Sequence, residues 1–294
     1  MLDKLKALFS PITSTLNFIQ NYFKALVLLL IVYLLFGSNE PSASHTPNLA
    51  KIELKGPIMD SELVVEKIKL AQEDENIKGV LFVVDSPGGA VAPSIEIAYA
   101  IKELNAKKPV VAYASGTMAS GSYYASIWAN EIVANPGAMI GSIGVIFQSA
   151  DISKLAEKFG VKYQVIKAGK YKEMGTPFKS WEDYEKKELQ NLIQETYELF
   201  VADVSNARKL DPKNHTQFAD ARVFNAASAK KVGLIDTVGT ASVAQEILMK
   251  KSKVTKPIWQ EEDRMQKLYD KFVSETAQLF VSSFAGLQSK TISF

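Results

Sequence analysis

The chain has 294 residues, with 34 basic and 32 acidic side chains, a net charge of +2, two histidines and no cysteine. Its length suits one large domain or two small ones, and its balanced charge gives no electrostatic reason to expect nucleic acid as a partner. The missing cysteines exclude disulfides, thiolate nucleophiles and cysteine-ligated metals, while His45 and His215 lie in loop-like sequence and offer little for a histidine-based site.

An uncharged apolar run occupies residues 25–36, directly after Lys24. Counted over about 18–37, the segment would be roughly 30 Å long as a helix, which matches the hydrocarbon core of a bilayer. Lysines precede the run and Glu40 is the first charge after it. The positive-inside rule therefore predicts a single-pass anchor in the cytoplasmic (inner) membrane, with a cytoplasmic N-terminus and the remainder on the outer, periplasmic side. A cleaved signal peptide is the alternative, since small residues at 42–44 could form a cleavage site.

A polar linker over 37–48 separates this segment from the folded part, which begins near Leu49. We therefore divide the chain into an N-terminus, anchor and linker (1–45), a folded domain (46–250) and a C-terminal tail (251–294). The tail after Pro257 has apolar residues at helical spacing, which predicts an amphipathic helix. Such a helix could pack on its own domain, on a neighbouring subunit or on the membrane surface.

The folded part alternates β-rich runs with helical patterns. Strands are predicted at 50–54, 79–84, 110–113, 131–134, 143–148 and 162–167, and helices at 61–74, 92–104, 118–129 and 182–208. This alternation predicts an α/β fold of repeated βαβ units around a largely parallel sheet.

Two glycine-containing turns follow neighbouring predicted strands. The first is Asp85-Ser-Pro-Gly-Gly89, and the second runs from Ala114 to Tyr124. Such glycines let backbone N–H groups face a ligand, and the carboxyl ends of parallel strands meet at one crevice, although turn glycines also occur for geometry alone. Neither turn is a P-loop, and Ser120 lacks the glycine two positions earlier that a nucleophile elbow requires.

A serine nucleophile needs a base, and without a suitable histidine the realistic base is a lysine held neutral in an apolar pocket. The stretch 166–177 offers Lys167, Lys170 and Lys172 after a predicted strand. Composition does not choose among these three lysines.

Five motifs occur in an order that resembles the signal peptide peptidase A family, covering about residues 48–250. They are Asp85-Ser-Pro-Gly-Gly89, Ala119-Ser-Gly-Ser-Tyr-Tyr124, Ile140-Gly-Ser-Ile-Gly-Val145, Lys170-Tyr-Lys-Glu173, and Asp220-Ala-Arg-Val-Phe224 with Gly233-Leu-Ile-Asp236.

The resemblance implies a ClpP/crotonase-like fold and a Ser–Lys dyad. Matched motif by motif, Ser120 is the nucleophile and Lys172 is the general base. Ser142 orients the lysine, and the N–H groups of Gly89 and Gly121 form the oxyanion hole. This chemistry requires neither a metal nor an organic cofactor.

Two positions depart from the family's pattern. Ser122 replaces the second glycine of the usual Ala-Ser-Gly-Gly-Tyr-Tyr motif, and Ala221 stands where Asp-Gly-Arg is common. Ser122 is expected to restrict the backbone after the nucleophile and so to alter peptide fit.

These observations together predict a membrane-anchored serine endopeptidase that degrades cleaved signal peptides or other hydrophobic peptides. The resemblance also implies a homo-oligomer whose subunits share substrate clefts, with 258–287 as one contact. A crotonase-like acyl-CoA hydratase or isomerase is a second hypothesis, which the anchor and Lys172 disfavour. A non-catalytic membrane scaffold with the same fold is a third.

Overall fold

The computed structural model describes residues 18–29 and 46–260. The chain divides after Thr46 into two units, and residues 18–29 of the first are helical (α1). Across the described residues, no helix has both the length and the apolar composition needed to cross a membrane. Residues 30–37 of the predicted anchor and residues 261–294 of the predicted tail lie outside the described ranges.

The second unit is built on a mixed sheet that is mostly parallel. Its described strands are β1 (Leu49–Lys55), β2 (Gly79–Ser86), β3 (Val110–Ala119), β4 (Glu131–Ala134), β5 (Met139–Gly141), β6 (Val223–Asn225) and β7 (Thr237–Val238). The parallel strands follow the order β1-β2-β3-β4-β7, while β5 pairs in parallel with β3 and antiparallel with β6. The predicted α/β class with a largely parallel sheet is confirmed.

Helices cover both faces of this sheet. They are α2 (Glu62–Glu73), α3 (Val91–Lys107), α4 (Gly121–Ser126), α5 (Ser153–Lys158), α6 (Asp183–Arg208), α7 (Ala226–Lys231) and α8 (Ala241–Ser252), with a 3-10 helix at Pro212–Gln217. Alternate residues of β2 point to opposite faces, so Phe82 joins the larger apolar cluster and Leu81 joins the smaller one beneath α8. Burial on both faces explains why β2 is almost continuously apolar.

The chain beyond α8 returns to the edge of the sheet at β1. The N–H of Gln260 donates to the carbonyl of Leu49 at 2.8 Å, and Trp259 forms a bridge with Leu49. These contacts cover part of an edge that would otherwise expose unpaired backbone groups.

Three predicted elements differ from the structure. The first is the helix expected at 118–129: β3 continues to Ala119, and α4 starts only at Gly121. The other two are the strands expected at 143–148 and 162–167, where the structure assigns none. Apolar β-branched sequence forms a strand only beside a neighbouring strand, and within the described chain none pairs with these segments.

Candidate active site

The carboxyl ends of β2 and β3 lie side by side at one end of the sheet. Asp85 fastens them together, because its carboxylate accepts a hydrogen bond from the N–H of Thr117 at 2.8 Å. A Cβ atom at Gly116 would lie 2.5 Å from the same carboxylate oxygen, so this approach requires a glycine. The expected crevice between two glycine-containing turns is therefore present.

Ser120 sits between β3 and α4 in a conformation that side chains rarely adopt, with φ 53° and ψ −125°. The turn is held on both sides: the N–H of Ser120 donates to the carbonyl of Gly141 at 2.7 Å, and its own carbonyl accepts from Tyr124 at 3.0 Å. A non-glycine residue in such a region costs about 1–3 kcal/mol and persists where the surroundings enforce it, often at active sites.

Two backbone N–H groups beside Ser120 are available as donors. A Cβ atom at Gly121 would lie 3.3 Å from the nitrogen of Gly89, so the two glycine backbones are close together. Among the hydrogen bonds of residues 46–260, none uses the N–H of either glycine. Paired unused donors next to a serine are the arrangement that an oxyanion hole needs.

These groups line a cavity of about 290 Å³, to which Ser120, Ser142, Gly89 and Gly121 all contribute. Its other walls come from α3, α4, α6, the segment after β5 and the turns after β2 and before β6. They are Pro87, Val91, Ser94, Ile95, Tyr124, Gly144, Val145, Ile146, Thr196, Leu199, Phe200 and Ala221. Every lining residue within the described chain is uncharged. The cavity can therefore accept an apolar side chain without leaving a charge unpaired.

Sequence reasoning missed the wall that α6 provides. The ring of Tyr124 packs edge-on against Phe200 at 4.8 Å, and its hydroxyl donates to the carboxylate of Asp203. Burial and this hydrogen bond raise the pKa of Tyr124. The sequence predicted a helix over 182–208, but nothing in its pattern indicated which element the helix covers.

Lys172 lies elsewhere. It belongs to a turn over 169–175 and its side chain is exposed. It lines a separate, open cavity of about 600 Å³, whose other walls are Tyr163 and residues 165–168 and 173–176. The two cavities share no lining residue. The structure thus brings Ser120, Ser142, Gly89 and Gly121 together but does not bring Lys172 to them. In the described single chain this lysine is exposed and not buried in an apolar pocket.

The two alternative lysines have partners. Lys167 pairs with Glu173 at 2.7 Å, and this hydrogen bond raises the pKa of Lys167, which disfavours the neutral form that a base requires. The ammonium group of Lys170 lies 4.3 Å from the centre of the Tyr184 ring. Within the described residues, Lys172 makes no such side-chain contact.

The two departures from the family pattern have different structural consequences. Ser122 is fully buried; its hydroxyl accepts from the N–H of Ala119 at 2.9 Å and lies 2.6 Å from the carbonyl oxygen of Ser86. It therefore fastens the nucleophile turn to β2. Ala221 has a φ of 55°, in the left-handed region where glycine is favoured.

Comparison with known proteins gives a family. A sequence profile of peptidase family S49 matches residues 102–255. A candidate protease of Methanocaldococcus jannaschii is 40% identical over 67% of this chain, a candidate signal peptide peptidase SppA of Enterococcus faecium 32% over 75%, and the chloroplastic serine protease SPPA of Arabidopsis thaliana 33% over 68%. The matches span 64%, 70% and 31% of those three proteins, so the first and the third are covered over less than two thirds of their length.

The chain belongs to peptidase family S49. This membership confirms the resemblance to the signal peptide peptidase A family, since relatives carry that name.

Proposed function

We propose that this protein is a membrane-anchored serine endopeptidase that uses a Ser–Lys dyad to degrade cleaved signal peptides or other hydrophobic peptides. The observation that carries the proposal is the placement of Ser120, held in a strained turn beside two unused N–H donors at an uncharged cavity. The ClpP/crotonase-like assignment of the fold is part of the same proposal and rests on the order of the motifs.

In the proposed reaction, the hydroxyl oxygen of Ser120 attacks the scissile carbonyl carbon while neutral Lys172 takes the hydroxyl proton. The N–H groups of Gly89 and Gly121 stabilise the oxyanion of the tetrahedral intermediate. The C–N bond then breaks as the lysine gives its proton to the departing amine, leaving an acyl-enzyme. Water, deprotonated by Lys172, hydrolyses this ester and regenerates Ser120. Ser142 accepts or donates a hydrogen bond that orients the lysine.

A homo-oligomer accounts for the separation between Ser120 and Lys172. The segment 143–178, which carries Lys172, exposes many large apolar side chains. Among them are Ile146 (78% exposed), Phe159 (74%) and Ile166 (105%). Exposed apolar surface of this extent is typical of an interface. We therefore propose that a second copy of the chain covers this segment, and that Lys172 of one copy serves Ser120 of another in a shared cleft.

The proposed substrate class rests on the cavity, and the proposed membrane location rests on the sequence. An uncharged cavity beside the nucleophile suits the apolar core of a signal peptide, and it offers no cation for the phosphates of an acyl-CoA. The apolar run at 25–36, with lysines before it, supports an anchor over about 18–37 in the cytoplasmic membrane and a catalytic domain on its outer side. Such an anchor would hold the enzyme where signal peptides are released.

The test uses the full chain in detergent or vesicles with a fluorogenic apolar peptide. Ser120→Ala and Lys172→Met should each abolish hydrolysis, whereas Lys187→Met, which removes an exposed lysine from α6, should leave it unchanged. Labelling of Ser120 by a fluorophosphonate should also disappear in Lys172→Met. Cleavage that survives either of the first two changes would refute the dyad, and a folded protein without any peptidase activity would support the scaffold hypothesis.

Mixing the two inactive variants tests the shared cleft. If copies exchange their lysines, a mixture of Ser120→Ala and Lys172→Met should recover activity, because some clefts then contain an intact serine and an intact lysine. Each variant alone is the control. Light scattering is used to verify that subunits have exchanged. If activity does not recover after that exchange, a dyad built between copies is contradicted.

A further inference from the structure

The turn that carries Lys172 is attached to the first turn of α6. The hydroxyl of Tyr184 donates to the carbonyl of Lys170 at 3.4 Å, and the ring of Tyr184 also contacts the ring of Tyr171 at 5.6 Å. Just before α6, the indole N–H of Trp181 donates to the carbonyl of Thr176 at 2.9 Å. The position of the lysine turn therefore depends on how α6 begins.

Glu185 holds that beginning in place. Its side chain is fully buried, and one carboxylate oxygen accepts hydrogen bonds from Lys179 at 2.7 Å and from the N–H of Glu182 at 3.0 Å. The hydrogen bond from Lys179 keeps the pKa of Glu185 below its usual range. Glu185 thus joins the chain that leaves the lysine turn, through Lys179, to the cap of the helix.

If this ion pair served only to stabilise the fold, its desolvation cost would be high for the stability gained. Only its carboxylate is fully buried, since Lys179 keeps 26% of its side chain exposed. Burial of a charge is offset only when its remaining lone pairs are also satisfied, and apolar residues of similar volume often stabilise a fold better. The second carboxylate oxygen of Glu185 is buried with no hydrogen-bond partner among the described residues.

We propose that Glu185 is a positioning residue for the peptidase reaction: through Lys179 and the cap of α6, it fixes the direction in which the turn over 169–175 presents Lys172. The inference rests on the proposed role of Lys172 as the base. It assigns Glu185 no contact with substrate. A misplacement of about 1 Å in a reacting group can cost on the order of 100-fold in rate, so a positioning residue is detectable in the chemical step.

The test compares Glu185→Gln with Glu188→Gln in the full chain. Glu188 is an exposed glutamate one turn further along α6 and controls for the loss of a carboxylate from this helix. Glu185→Gln should lower kcat about 10- to 100-fold with KM within about twofold, and should slow fluorophosphonate labelling of Ser120 by a similar factor. Glu188→Gln should match the unmodified protein in all three measurements.

Lys179→Gln breaks the same ion pair from its other side. Because Lys179 keeps 26% of its side chain exposed, the fold should tolerate its replacement more easily than that of Glu185. The Lys179→Gln variant should reproduce the fall in kcat, and the double variant should be no slower than the slower single variant, since both remove one ion pair. If Glu185→Gln does not fold, Lys179→Gln against Glu188→Gln decides the question alone.

Failure of this inference and failure of the proposed function give different results. If Lys172→Met is inactive while Glu185→Gln and Lys179→Gln keep the unmodified kcat, the dyad stands and the positioning role is refuted. A lower melting temperature with unchanged kcat and labelling rate would likewise show a purely structural role and overturn the inference. If Lys172→Met retains activity, the dyad itself fails.

Discussion

Replacing Gly89 by alanine should impair both catalysis and stability. A Cβ atom at this position would lie 2.0 Å from the carbonyl oxygen of Ile58, about 1.4 Å short of an ordinary contact, and 2.7 Å from the carbonyl carbon and the nitrogen of that residue. All three atoms are backbone, so no side chain can move aside. The bridge between Ile58 and Gly89 must open, and the N–H of Gly89 must shift by a distance of that order.

The expected magnitude follows from the role of that N–H. Loss of one oxyanion-hole donor costs about 100- to 1000-fold in kcat, so Gly89→Ala should lower kcat of peptide hydrolysis by a factor in that range. Gly137→Ala is the matched control, because a Cβ atom there meets only the side-chain oxygen of Asn135 at 3.6 Å. Steady-state kinetics and thermal denaturation would be measured on both variants. A folded Gly89→Ala protein with the kcat of Gly137→Ala would refute the assignment of this donor.

Three further predictions concern the surroundings of the site. Ala221→Gly should raise the free energy of unfolding by about 1 kcal/mol in urea denaturation, because the left-handed conformation is costly for alanine and not for glycine; an unchanged midpoint would contradict this. Ser122→Ala should lower the free energy of unfolding by about 1–3 kcal/mol, since the buried N–H of Ala119 loses its acceptor. An unchanged free energy of unfolding would argue against the hydrogen bond between Ala119 and Ser122. Hydrogen bonds from the hydroxyls of Ser153 and Ser180 lower the pKa of Asp151 to about 2, so the contact with Ser180 should persist above about pH 4, the range of a free aspartate, and be lost as pH falls through about 2. Amide exchange in this segment should show that loss, and Asp151→Asn should abolish its pH dependence.

Local pattern was enough to predict the core of the sheet. The apolar run at 79–84 had to be buried on both faces, and as β2 it pairs with β1 and β3. The same reasoning failed at 143–148 and 162–167, where apolar β-branched residues lack a neighbouring strand in the described chain. Propensity indicates that a segment can form a strand, while pairing depends on what lies beside it.

The expected effect of Ser122 also needed the structure. From the sequence, a serine in place of glycine indicated a stiffer backbone after the nucleophile. In the fold, the side chain instead links that turn to the carbonyl of Ser86, a residue 36 positions earlier in the chain. A hydrogen bond between residues so far apart has no local sequence signal.

By itself, the sequence determined the α/β class, because strand burial leaves its mark on short stretches, and the resemblance of five motifs in order indicated the family. The lack of thiols and of usable histidines limited the chemistry available. Only the tertiary structure decided which groups meet. It places Ser120 with Gly89, Gly121 and Ser142 at one cavity, since adjacent parallel strands deliver their ends to the same edge. It leaves Lys172 at another cavity. The position of the turn that carries Lys172 depends on how residues 143–178 pack, and much of that segment is exposed in a single chain.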